Sequence, residues 1–240
     1  MDKIVENFLE EQGYKEKIDE NQEARVKGWQ DFFEGKDKRY NTKFYNGTKY
    51  INYKIKSLEL PTQVCADLAD FFFNEKLDIT ISDKSVDKAI KQCLNQNHFL
   101  HNANKLMQMV KALGTGAFIP YLDENVLRIN YLKATNIIIL KANADEVIDV
   151  LFYSKTKIKN GNEYYFNMHI LEGNGYVIYN FKKQEINGNV IDIDLGKSAV
   201  IETESYLPKF GILFTPEINN YDIDSPYRNK LLCKCNGCNI

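Results

Sequence analysis

What most constrains this chain is the regular placement of turn residues through its second half. Asn160-Gly161, Gly173-Asn174-Gly175 and Asn187-Gly188-Asn189 separate runs rich in Val, Ile, Tyr and Phe. Asparagine and glycine tolerate the left-handed backbone that tight hairpins demand, while β-branched and aromatic residues suit pleated strands. The spacing predicts strands at Val147–Tyr153, Glu163–Leu171, Gly175–Phe181 and Val190–Leu195, preceded by the apolar run Ile137–Leu140. Folded back and forth, these make an antiparallel meander.

The first half follows a helical period. Residues 1–35 are polar and helix-prone and end in an aromatic group, Trp29, Phe32 and Phe33. A polar, tyrosine-rich segment from Gly35 through Tyr53 reads as loop or irregular strand. Ser57–Lys76 is predicted as a helix, with Pro61 in its first turn and Leu60, Val64, Leu68 and Phe72 four apart. Phe71, Phe72 and Phe73 together predict burial over more than one face of it. Asp78–Ser82 alternates like a short strand. Ser82 or Ser85 is placed to cap the next helix, where Val86, Ala89, Ile90, Cys93 and Leu94 share a face. Asn95-Gln96-Asn97 breaks that helix.

Leu106, Met109, Val110 and Leu113 then mark a third apolar stripe. Gly114 stands where a C-cap glycine belongs, and Gly116 lets the chain leave in a new direction. Ala117–Leu122 and Val126–Leu132 form a hairpin around Asp123-Glu124-Asn125. The predicted class is α+β, with N-terminal helices followed by a mainly antiparallel β region.

Composition narrows function mainly by exclusion. Over 240 residues, 44% of them hydrophobic, 31 basic residues face 33 acidic ones and leave a net charge of -2. No whole-chain basic field exists to attract nucleic acid. Met1-Asp2-Lys3-Ile4 runs straight into charged residues without a signal-peptide apolar region, and no run reaches membrane-spanning length. The expectation is a soluble chain, cytoplasmic at synthesis, for which the glycosylation-like triplet Asn46-Gly47-Thr48 carries no meaning.

Motifs for chemistry are fragmentary. Gly196-Lys197-Ser198 resembles the end of a phosphate-binding loop, but the glycine required five residues earlier is Ile191. Gly114-Thr115-Gly116 ends a helix and starts a strand, the reverse of the order dinucleotide binding needs. His98 and His101 lie near Cys93 without a tetrahedral zinc spacing, and His169 alternates with apolar residues in a strand. Cys65 and Cys93 fall on apolar helix faces, which places them in the core. Cys233, Cys235 and Cys238 form a C-x-C-x2-C tail that lacks a fourth ligand. Neither catalytic residues nor a cofactor or metal site is predicted. A small metal-binding protein acting through that tail is the least favoured alternative.

Four ordered landmarks carry a family resemblance. They are Trp29-Gln30-Asp31-Phe32-Phe33-Glu34-Gly35 with the tyrosine-rich loop; Leu58-Glu59-Leu60 leading into 66–76 (ADLADFFFNEK); 112–121 (ALGTGAFIPY) with the returning strand Leu127–Leu132; and 219–227 (NNYDIDSPY). In this order they resemble the portal proteins of tailed bacteriophages, in the branch from phages of Gram-positive hosts. The resemblance implies a structural, non-enzymatic protein. It would form a ring, typically of twelve subunits, at a capsid vertex of a phage or prophage, and reside in host cytoplasm during assembly. Double-stranded DNA passes through such a ring during packaging and ejection, and its partners are terminase, capsid and head–tail connector proteins.

Three segments follow from it: an arm and loop at 1–56, a wing-like α+β domain at 57–227, and a cysteine-rich tail at 228–240 foreign to the family. The family continues after Ser-Pro-Tyr with a glycine and a long helical half. Here Arg228 and the cysteine tail follow Ser225-Pro226-Tyr227, so the chain reads as a truncated wing. A non-enzymatic module that binds another virion protein is the competing reading.

Overall fold

The computed structural model describes residues 2–17, 20–36, 41–54, 59–73, 77–123, 126–143, 146–173, 175–203 and 205–214. Its first helices are α1 (Lys3–Glu11) and α2 (Glu20–Phe33), followed by the strands β1 (Asn41–Tyr45) and β2 (Tyr50–Lys54). Helices α3 (Leu60–Phe72), α4 (Lys84–Gln96) and α5 (Phe99–Leu113) come next. Then come β3 (Thr115–Asp123), β4 (Val126–Lys133), β5 (Ile137–Ala142), β6 (Val147–Ile158), β7 (Gly161–Glu172) and β8 (Gly175–Ile186). Last are β9 (Asn189–Ile193), β10 (Val200–Glu202) and β11 (Gly211–Phe214). The class is α+β, as expected.

The meander forms with longer strands than predicted. β5 through β9 pair consecutively and antiparallel, and β10 returns to share the β8 edge with β9, giving six strands. Asn187 and Gly188 both take positive φ, 52° and 83°, which matches the right-handed twist of a two-residue hairpin. β3 and β4 form the predicted hairpin but stand in a second sheet, where β11 joins β3. The segment from Gly35 to Tyr53 departs from expectation. Its end is the ordered hairpin β1–β2, whose turn is the glycosylation-like triplet: Asn46 Oδ1 accepts from the backbone N–H of Thr48 and Lys49 at 3.0 and 2.9 Å.

The large sheet has a core on each face, because successive side chains point to opposite sides. On one side Leu151, Tyr164, Phe166 and Met168 pack under α1, which inserts Ile4, Val5, Phe8 and Leu9. Phe8 stacks on Phe166 with centroids 4.1 Å apart. Fully burying such side chains contributes roughly 1.5–3 kcal/mol each. On the other side Val150 and Phe152 meet Ala117, Leu132, Ile212 and Phe214 of the small sheet. α5 packs on β3 and β4. Its end is the predicted junction: Gly114 has φ 87° and donates to the Val110 carbonyl at 2.8 Å. A Cβ on Gly116 would lie 2.8 Å from side-chain carbons of both Leu106 and Val110, so this glycine permits the close approach of α5 to β3.

Several expectations fail in the helical half. Asp78–Ser82 forms no strand and pairs with none of the described strands. Instead the Ile81 N–H donates to Asp87 Oδ1 at 2.9 Å and Lys91 bridges Asp78 and Asp87, tying the segment to α4. The α4 cap is Asp83 rather than Ser82 or Ser85, its Oδ1 accepting from the N–H of Ser85 and Val86. Cys65 and Cys93 are half-buried rather than core residues. α3 is described over Leu60–Phe72, with Pro61 in its first turn, and it is not buried on several faces: Ala69 alone is buried. It meets α5 through Asp70, which accepts from Asn104 Nδ2 at 2.6 Å, and through Phe72, whose ring lies 5.3 Å from Lys111 Nζ.

Candidate functional site

The residues singled out for chemistry do not converge. The Cys93 thiol meets the Leu127 carbonyl at 3.8 Å, whereas His98 and His101 line a cleft of about 470 Å³ beside Leu77, Asp78 and Lys91. Gly196-Lys197-Ser198 is one turn of 3-10 helix between β9 and β10, without the following helix that phosphate binding uses. Among the described residues no group of three or more His, Cys, Asp or Glu is placed to hold a metal. Cys233, Cys235 and Cys238, and the fourth landmark at 219–227, lie outside the described residues.

His169 is buried on the inner face of β7, between the rings of Phe152 and Phe210 at 5.5 and 5.2 Å. Its Nε2 lies 2.6 Å from Asn167 Oδ1, and its Nδ1 has no hydrogen-bond partner among the described residues. Burial pushes its pKa down to about 4. Because Asn167 donates its Nδ2 to Asn180 Oδ1 at 2.7 Å, its oxygen faces the imidazole, which assigns the proton to Nε2. Asn180 also accepts from the Tyr165 hydroxyl and donates to the Ser198 carbonyl, each at 2.8 Å. This polar chain reaches a cleft of about 280 Å³ between the sheets, lined by Tyr121, Asn130, Tyr165 and Asn167. The arrangement orders the sandwich interior. It presents neither a nucleophile nor an acid–base pair.

Other polar side chains act as fasteners. Asn97, just after α4, imitates a strand partner: its Nδ2 donates to the Leu127 carbonyl at 2.8 Å and its Oδ1 accepts from the Ile129 N–H at 3.0 Å. The edge of β4 is thereby closed. Both ends of α1 are clamped to the large sheet. Asp2 accepts from Lys155 at 2.6 Å and from the Tyr164 hydroxyl at 2.8 Å. Lys183 joins Glu11 at 2.8 Å and Asp192 at 3.0 Å. Burial pushes the Asp2 carboxyl up, but hydrogen bonds from Lys155, Tyr164 and the Ile4 N–H outweigh it and hold the carboxyl below its ordinary value. Burial likewise opposes the charge on Lys183, and its two carboxylates reverse the effect.

The remaining features are surfaces. On α3, Leu60, Val64, Leu68 and Phe71 are exposed, Phe71 by 86%. The sequence held a signal for this: Asp67 lies within the apolar spacing, and a buried face does not carry an unpaired carboxylate. The hairpin β1–β2 exposes Phe44, Tyr45, Tyr50 and Tyr53. No helix of the described residues is long and apolar enough to cross a membrane.

The polar networks of the interior brace the fold, and apolar side chains on α3 and β1–β2 stay on the outside. The family described as phage portal protein, SPP1 Gp6-like, matches residues 12–189, from the loop after α1 to the start of β9. The chain belongs to this family and has a structural portal role. No curated protein matches the chain.

Proposed function

We propose that this chain is a wing-forming subunit of a ring at one vertex of a tailed-phage or prophage capsid, through which double-stranded DNA is packaged and ejected. The match across residues 12–189 carries the reading. Its support in the fold is the contrast between a braced interior and apolar outer faces on α3 and β1–β2. The ring acts without catalysis by this chain, and terminase, capsid and head–tail connector proteins are its partners. Within it, residues 1–56 serve as arm and loop and 57–227 as the wing. The site of action is the capsid vertex in the virion, reached from host cytoplasm.

Immunogold labelling of particles released from a host carrying the gene tests this. One labelled vertex per particle is expected. Particles free of the chain, or labelled over the whole shell, contradict the reading.

A further inference from the structure

α3 leaves its apolar side uncovered. Leu60, Val64, Leu68 and Phe71 are each more than 40% exposed, on a helix whose contacts with α5 run through Asp70 and Phe72. An apolar patch of this kind on a folded chain marks a contact surface. Residues 59–73 carry neither lysine nor arginine, and Asp67 supplies the negative charge within the patch, while Asp70 holds Asn104 of α5 at 2.6 Å.

A second surface is incomplete in the opposite sense. Among the described residues, β1 and β2 pair with each other and with no other strand. A lone two-stranded hairpin is marginally stable in water. The register puts Lys43, Tyr45, Tyr50 and Lys54 on one face, because Tyr45 faces Tyr50 directly and alternate residues share a side. The Tyr45 and Tyr50 rings lie 5.3 Å apart and are 56% and 74% exposed. Lys49 adds a third positive charge at the turn, and residues 41–54 contain no acidic residue.

The two surfaces also agree in length. Five-residue strands span about 17 Å. The thirteen residues of α3 span about 20 Å. We propose that the β1–β2 hairpin of one copy seats on the α3 face of the next, with the tyrosine pair on Val64 and Leu68 and the lysines beside Asp67. The inference rests on the ring reading and names the subunit contact within it. Because the two patches differ, the contact is heterologous: it repeats head to tail and closes into a ring when the rotation permits.

Sedimentation of the purified full chain with two charge-changing double variants tests the contact. One carries Gln63→Lys and Asp67→Lys on α3; the other carries Lys43→Glu and Lys54→Glu on the hairpin. The wild type associates with rising concentration, and each variant alone associates at least about tenfold more weakly, since like charges then meet at the seat. An equimolar mixture of the two variants regains association to within about threefold of wild type, because each now presents the opposite charge to the other at both surfaces. That recovery also requires both variants to be folded. Wild-type association that neither variant weakens overturns the seat while leaving a ring intact. Loss with the α3 variant alone overturns it in favour of a different occupant of α3, such as α3 of another copy. A wild type that stays monomeric at every concentration overturns the ring reading itself.

Discussion

The Tyr164 hydroxyl donates a 2.8 Å hydrogen bond to Asp2, across 162 positions of sequence. The same carboxylate caps α1 through the Ile4 N–H and pairs with Lys155. Replacing Asp2 with Ala removes both the cap and the tether, and a loss of about 2 kcal/mol is expected. Asp2→Asn keeps a capping oxygen while losing the ion pair, which is partly exposed and worth less, so about 1 kcal/mol is expected. Urea unfolding of the two variants checks the order. Equal losses would show that the cap adds nothing beyond the ion pair, and no loss in Asp2→Asn would show that the ion pair adds nothing.

Asn97 closes the β4 edge with one donor and one acceptor. Asn97→Ala leaves the Leu127 carbonyl and the Ile129 N–H without these partners, at a cost of about 2 kcal/mol. The sharper readout is local: amide exchange at Ile129 accelerates more than the global loss explains. Unchanged exchange at that amide would sink the account.

His169 predicts a pH dependence. The unfolded chain takes up its proton near the ordinary value of 6.5, the folded chain only near about 4. Between those values the unfolded state holds more protons, so stability falls as pH drops through that window and is flat with respect to this group above it. The loss over the window is about 3 kcal/mol. His169→Phe, which fits among the rings of Phe152 and Phe210, flattens the slope between pH 6.5 and 4. Urea unfolding at several pH values measures it, and identical slopes in wild type and variant reject the assignment.

Gly161 opens β7 where a Cβ would land on the Glu185 carbonyl of the neighbouring strand. Backbone cannot swing aside as a side chain can, so Gly161→Ala forces the β7–β8 pair apart at that end. A loss above about 2 kcal/mol is expected, larger than for Gly116→Ala, which meets mainly the movable ends of Leu106 and Val110. Thermal melts of the two variants compare them directly.

Features decided within a few residues were legible before the structure. The Asn187-Gly188 turn, the Gly114 cap and the Asn97 break depend on local backbone preference, and each stands where the sequence placed it. Features needing a distant partner were not. Asp78–Ser82 has the alternation of a strand, but a strand exists only beside another edge. The apolar spacing of α3 says that one face belongs against something, and periodicity is silent on whether that something lies in the same chain. Asp67 was the clue. The sequence offered Ser82 or Ser85 as the α4 cap, but Asp83 between them takes the place because its carboxylate reaches two backbone N–H groups at once. The exposed surfaces were therefore visible as residues but not as surfaces.

The docking of α1 also sets a schedule. α1 leaves the ribosome well before the floor it lies on, which is built from β5 to β8, more than 120 residues later. At about 5–20 residues per second, Ile4, Val5, Phe8 and Leu9 wait on the order of 6–25 s before a partner exists. Throughout that interval the nascent chain offers a short amphipathic segment to chaperones, to neighbouring chains, or to the sheet of another copy that has already finished.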